Sequence, residues 1–160
     1  MVYGRNKKSG QRGATLVEFA IGATVFLLSM FAVIEFGRLL WTHNALSEAA
    51  RRAARYAISQ PASSPAGSKI SGTDVGPSIA AIKSVAVYGD PAGGTQPLIN
   101  DLDPNTNVSV TYQQFGLGEG TVSVAIQNYQ FHFVVPIIGT TISMPDYQTT
   151  LTAESAGVLP

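Results

Sequence analysis

Apolar side chains fall along this chain in three successive patterns. From Ala14 to Ile34 they run almost unbroken, and Glu18 is the one charge among them. The next pattern recurs every three or four positions, at Phe36, Leu39, Leu40, Leu46, Ala50, Ala53, Ala54 and Ala57, with His43 on the same line. That spacing marks one stripe of an amphipathic helix. No Pro or Gly lies between Arg38 and Gln60, and Pro61 follows as a stop. One helix is therefore predicted from about Ala14 to Ser59, its first half suited to a membrane and its second half amphipathic.

In the third pattern the period falls to two. Val108, Val110 and Tyr112 alternate with polar residues, then Val122, Val124 and Ile126, then Tyr129, Phe131, Phe133 and Val135. These are strand signals, the last set the strongest. Gly116, Gly118 and Gly120 supply a turn between the first two strands, Pro136 and Gly139 interrupt the next, and Tyr147 to Ala153 is a final candidate strand. Pro61 to Gly76 is rich in Ser, Pro, Gly and Ala and reads as a linker or surface loop. Ile79, Ile82, Val85 and Ala86 predict a short second helix over Ser78 to Tyr88, followed by a loop from Gly89 to Gln96. The expected fold is α+β: a long N-terminal helix, membrane half plus amphipathic half, packed on a small antiparallel sheet. The expected divisions are a basic leader over 1–13, the helix over 14–60 and a β-rich head over 61–160.

Charge sharpens the first pattern. Only 12% of residues are charged, against about 25% in an average soluble domain. The net charge is zero but segregated. Arg5, Lys7, Lys8 and Arg12 form a leader without an acid. From Pro61 onward, Lys69 and Lys83 face Asp74, Asp90, Asp101, Asp103, Glu119, Asp146 and Glu154. Basic residues before an apolar span read as its cytoplasmic flank. The acidic C-terminal part would repel phosphates, which argues against nucleic acid as its partner. The run from 14 to 34 has about 21 residues and covers roughly 30 Å, one hydrocarbon thickness. A cleavable secretory signal is the competing explanation. Its apolar core is normally about 7–15 residues, and Glu35-Phe36-Gly37-Arg38 offers no small-x-small cleavage pattern. With no cysteine, disulfides, thiolate metal sites and cysteine nucleophiles are excluded.

Glu18 is the chemical anomaly. A carboxylate inside an apolar span costs several kcal/mol unless it is paired or lies at headgroup level. A small residue, Gly13, precedes the span. Were a peptidase to cut after Gly13, Ala14 would carry an ammonium group and Glu18 would lie one helical turn away. Within one subunit the two charges compensate partly. Between staggered subunits, Glu18 could meet a neighbour's ammonium and fix the axial register. A carboxylate is also favoured near a helix N-terminus by the dipole.

No catalytic or cofactor constellation stands out. His43 and His132 match no metal or triad spacing and read as structural or surface residues. Asp101 to Asn107 resembles a calcium loop faintly, but Thr106 stands where Gly is needed and Tyr112 where Glu is needed, so Asx-rich turn chemistry accounts for it at least as well. Arg51, Arg52 and Arg55 could meet an acidic partner or lipid headgroups. The favoured alternative is a solvated helix face paired to Glu48.

The string Arg12-Gly13-Ala14-Thr15-Leu16-Val17-Glu18-Phe19-Ala20 resembles the TadE/TadG-like pilus-assembly family. So do Ile34-Glu35-Phe36-Gly37-Arg38 and Ala49-Ala50-Arg51-Arg52-Ala53-Ala54-Arg55-Tyr56-Ala57. The similarity covers roughly residues 12–58. It implies a pilin-like pseudopilin or minor pilin of the tight-adherence (Flp-type) system, not an enzyme, with no cofactor. A prepilin peptidase would cut between Gly13 and Ala14, and Glu18 and Phe19 would serve assembly. Other pilins or pseudopilins, the inner-membrane assembly platform and membrane lipid are the implied partners. The implied location is the bacterial inner membrane in a single pass, with a cytoplasmic N-terminus and a periplasmic or extracellular head. Ala14 stands where many type IV pilins carry Phe. The alternative is an unprocessed single-pass protein with an extracytoplasmic binding domain.

Overall fold

The structure is a computed structural model that describes residues 8–60, 69–116, 119–134 and 141–153. Its elements are α1 (Lys8–Ile58), β1 (Ile70–Thr73), α2 (Ile79–Tyr88), β2 (Val108–Gly116), β3 (Glu119–Ile126), β4 (Gln130–His132), β5 (Thr141–Ser143) and β6 (Tyr147–Thr152). They fall into two compact units. One is α1 up to Arg38 together with the segment that begins at Phe133; the other runs from Leu39 to His132 and resumes at Thr141.

In the first unit the apolar run is bare on all sides. Phe19 is 73% exposed, and Leu16, Phe26 and Val33 are similarly open. The helix from Gly13 onward is long and apolar enough to cross a membrane, and none of its most apolar stretch is buried. A helix that is hydrophobic all round and uncovered by protein fits a membrane anchor. Its hydroxyls are suited to lipid: Thr24 Oγ1 donates to Ala20 O and Ser29 Oγ to Val25 O, both at 2.8 Å. Both hydroxyls are thus satisfied within the helix, as hydrocarbon requires. The helix begins at Lys8, earlier than the expected Ala14. Carrying a formed helix back through Gly10 and Gly13 costs only about 1 kcal/mol per glycine, less than nucleating a new one.

The second unit is built on a four-stranded antiparallel sheet in the order β1-β2-β3-β6. Register places Val108, Ile126 and Tyr147 in one row, and Val110 and Val124 in the row two residues on. This face carries the core. Against it the second half of α1 contributes Leu46, Ala49, Ala50, Ala53, Ala54 and Ala57, all buried. The helix α2 buries Ile82, Val85, Ala86 and Val87 and ends at Gly89, whose φ of 79° permits the left-handed cap in which its N–H bonds Val85 O.

The expected α+β arrangement is present, with two departures in the head. β1 lies within the segment expected to be a linker. Its four residues carry one apolar side chain, Ile70, so no alternation announces it, and its pairing with β2 shifts between Ile70 and Gly72. The Tyr129–Val135 alternation yields only the three-residue β4, paired with β5 in a separate two-stranded sheet. Asn128, at φ 56°, turns the chain out of the main sheet after β3, so Tyr129 and Phe131 bury elsewhere. Val135, Pro136, Gly139 and Gly118 lie outside the described residues. At Gly120 the β2–β3 hairpin requires glycine: φ is 82°, and a Cβ would lie 2.2 Å from Gln114 O.

Candidate functional site

The candidate residues lie at the start of the apolar run. Gly13, Ala14, Glu18 and Phe19 are all exposed on α1. Glu18 stands four positions after Ala14, hence one turn along the same face. A Cβ built on Gly13 would meet nothing within 4 Å. Among the described residues Glu18 has no hydrogen-bonding or ionic partner. The helix passes through the Gly13–Ala14 bond without a break.

The run ends differently. Glu35 is buried, and its Oε2 accepts from Arg38 Nε at 3.2 Å and Nη2 at 2.9 Å. Its Oε1 accepts from the Val134 N–H at 3.2 Å, a contact that spans 99 residues of sequence. The spacing Glu35-x-x-Arg38 signals the ion pair from sequence. Nothing in the sequence signals Val134. The two acids of the apolar half therefore contrast: Glu35 is fully used inside the chain, and Glu18 is not.

Further along α1, Tyr147 Oη and His43 Nδ1 share a 2.7 Å hydrogen bond, with their rings edge to face at 5.1 Å. His43 thus ties the helix to β6, a structural task. Of the three arginines, Arg51 lies 3.9 Å from Glu48, as the solvated-face expectation has it, and Arg55 is exposed. Arg52 departs from it. It is half-buried and donates from Nε to Val85 O at 3.2 Å and from Nη2 to Ala86 O at 3.1 Å. It adds to the C-terminal end of α2, where the Gly89 N–H also bonds Val85 O and the Leu98 N–H bonds Val87 O.

The segment from Asp101 to Asn107 is a turn held by its own side chains. Asp103 Oδ1 accepts from the N–H groups of Asn105 and Thr106 at 2.8 and 2.9 Å, and Asn107 Oδ1 accepts from the Asp103 N–H at 2.9 Å. The Thr106 and Asn105 N–H groups hold the Asp103 carboxyl below its usual range. A carboxylate committed to the backbone in this way is turn chemistry. His132 Nδ1 stands 3.9 Å from Asp101 Oδ2, both side chains open to solvent. Among the described residues no group of three or more His, Asp or Glu is placed to hold a metal ion.

A long apolar helix that is a candidate membrane span, followed by a small α+β head, is the arrangement of a single-pass membrane protein, and the candidate site lies on the apolar helix. The anchor is also what is similar to known proteins. Residues 13–55 match the family described as TadE-like protein. That stretch begins at Gly13, contains Ala14, Glu18, Phe19, Glu35, Arg38 and Arg52, and leaves α2 and every strand outside it. No curated protein and no solved structure matches the chain.

Proposed function

We propose that this protein is a pseudopilin or minor pilin serving the assembly of tight-adherence (Flp-type) pili. It is a structural component, anchored in the bacterial inner membrane by one pass, with its basic N-terminus cytoplasmic and its head outside the cytoplasm. A prepilin peptidase cuts it between Gly13 and Ala14, and Glu18 and Phe19 then act in packing against other pilins or pseudopilins on the assembly platform. The TadE-like match over the anchor supports the system. The head is larger than a Flp major pilin would carry, which favours a minor component over the main shaft.

The observation that carries the proposal is the lone Glu18. A carboxylate with no partner among the described residues, exposed on a helix otherwise bare and apolar, needs a compensating cation. Cleavage creates one at Ala14, and a staggered neighbour presents it at the right height. Gly13 suits the cut as well. Peptidases act on opened backbone, and glycine lowers the helix stability that opening must overcome by about 1 kcal/mol relative to alanine.

The alternative is an unprocessed single-pass protein with an extracytoplasmic binding domain, and the unbroken helix through Gly13–Ala14 favours it. N-terminal sequencing of the membrane form, in cells that contain the peptidase, decides between them. The proposal expects Ala14 as the first residue. It also expects Gly13→Ala to block processing, and Glu18→Ala to be inserted and cut yet fail in assembly. A chain that keeps Met1, or normal pili from both variants, would remove it.

A further inference from the structure

Where the apolar run of α1 ends, a backbone segment from far along the chain is tied to it. Glu35 is buried although the helix around it is bare, with Val33 72% and Phe36 59% exposed. Its carboxylate accepts on one oxygen from Arg38 and on the other from the Val134 N–H. Val134 itself keeps its side chain 73% exposed. An apolar side chain is thus held open to the surroundings at the level of the helix turn that carries Val33, Ile34 and Phe36.

We propose that Val134 is a second point of contact with the lipid surface: the Phe133–Val134 segment rests in the headgroup boundary of the outer leaflet, and Glu35 sets its depth. The proposal rests on α1 being a membrane span. From Ala14 to Glu35 the helix rises about 32 Å, which places Glu35 at the far edge of a hydrocarbon layer of about 30 Å. Residue types of the interface follow. Arg38 lies one turn on, and Trp41, 59% exposed, lies roughly 9 Å beyond Glu35 along the axis. A lipid surface is therefore the occupant continuous with the span.

The chemistry of Glu35 fits that depth. A backbone N–H entering the interface loses water and needs an acceptor. Glu35 supplies one, and the Arg38 guanidinium offsets its charge, so the pair can lie at the boundary while Val134 faces lipid. Glu35 is in this respect a positioning residue that acts through the Val134 backbone.

Trp41 is the chain's single tryptophan, which makes depth measurable on the whole protein. In a Trp41→Phe background, tryptophan is placed at Val134, at Val25 in the span, or at Leu98, an exposed loop residue. The full chain is reconstituted in phosphatidylethanolamine–phosphatidylglycerol vesicles whose lipids are brominated at shallow or deep chain positions. The Val134→Trp reporter should be quenched by shallow bromines to the extent of native Trp41, and several-fold less by aqueous iodide than the Leu98→Trp reporter. Glu35→Ala should return it to the Leu98 value without changing the Val25→Trp reporter, while Glu35→Gln, which keeps an acceptor oxygen, should leave it in place. If Val134→Trp responds like Leu98→Trp while Val25→Trp is quenched by deep bromines, the inference fails and the span stands. Shielding of position 134 from both iodide and bromolipid would mean a protein neighbour and would also overturn it. An unquenched Val25→Trp would remove the span and the inference together.

Discussion

Arg52 on α1 holds the end of α2 through Val85 and Ala86, with donor–acceptor distances of 3.2 and 3.1 Å. The guanidinium thereby joins two helices that share no hydrogen-bonded strand, and its charge lies where the α2 dipole favours a cation. Hydrogen bonds from a charged donor contribute about 1.5–3 kcal/mol each way they are measured, so Arg52→Ala is expected to destabilise the head by about 1–3 kcal/mol. Arg51→Ala and Arg55→Ala, which remove only exposed charge, should stay within about 0.5 kcal/mol. Denaturant unfolding of the three variants in detergent, followed by a head signal, makes the comparison.

Asp74 sits at φ 55° and serves two partners. Its Oδ2 lies 2.8 Å from Lys83 Nζ, and its Oδ1 accepts from the Val110 N–H at 2.9 Å. The Lys83 side chain is only 10% exposed and the Asp74 side chain 39%. Breaking a fully buried pair costs about 3–5 kcal/mol, and solvent at Asp74 reduces that to an expected 1–3 kcal/mol for Asp74→Ala. Lys83→Met should cost less, because the aspartate left behind keeps its water while a lysine left behind does not. Equal losses in the two variants would show that the asymmetry of burial is unimportant.

Two tyrosines govern the alkaline limit. Burial raises the phenol pKa of both Tyr112 and Tyr147. The folded state then holds these protons more tightly than the unfolded chain. Their contribution is fully present below about pH 10 and is lost as pH rises through the folded values. Tyr147→Phe removes the bond to His43 and should cost about 0.5–1.5 kcal/mol at neutral pH. It should also make the alkaline decline shallower, which thermal unfolding between pH 7 and 11 would read.

The acid side has the opposite sign. Asp103 is lowered by the Thr106 and Asn105 N–H groups, and Glu119 by the Lys69 ammonium. Both carboxylates contribute above the ordinary carboxylate pKa of about 4 and lose that contribution as pH falls through their folded values. Asp103→Asn retains an oxygen for the two N–H groups and removes the proton uptake. Its stability should match the parent near pH 3 more closely than near pH 7, a crossover visible in parallel melts.

Much of this fold is carried by local periodicity. The three- and four-residue spacing becomes a buried stripe only from Leu46 to Ala57, with Phe36, Leu40 and His43 left exposed, and the alternation at Val108 to Tyr112 and Val122 to Ile126 becomes the paired centre of the sheet. The candidate site is legible for the same reason: a lone charge in an apolar run is visible without knowing what surrounds it. Periodicity is silent where an element owes its existence to a neighbour. β1 has one apolar residue and forms because β2 offers it an edge. β4 leaves the sheet because Asn128 turns left-handed.

By itself, then, the sequence determined which faces would be apolar, where the anchor lies, and that Gly13, Ala14, Glu18 and Phe19 form the unusual cluster upon it. Only the tertiary structure decided which charges are already satisfied. Glu18 and Glu35 look alike in the sequence, each an acid near one end of the same apolar run. One meets Arg38 and a backbone N–H 99 residues away, and the other meets nothing among the described residues. Side-chain type and spacing are local properties, whereas compensation of a charge depends on what the folded chain brings within about 3 Å of it.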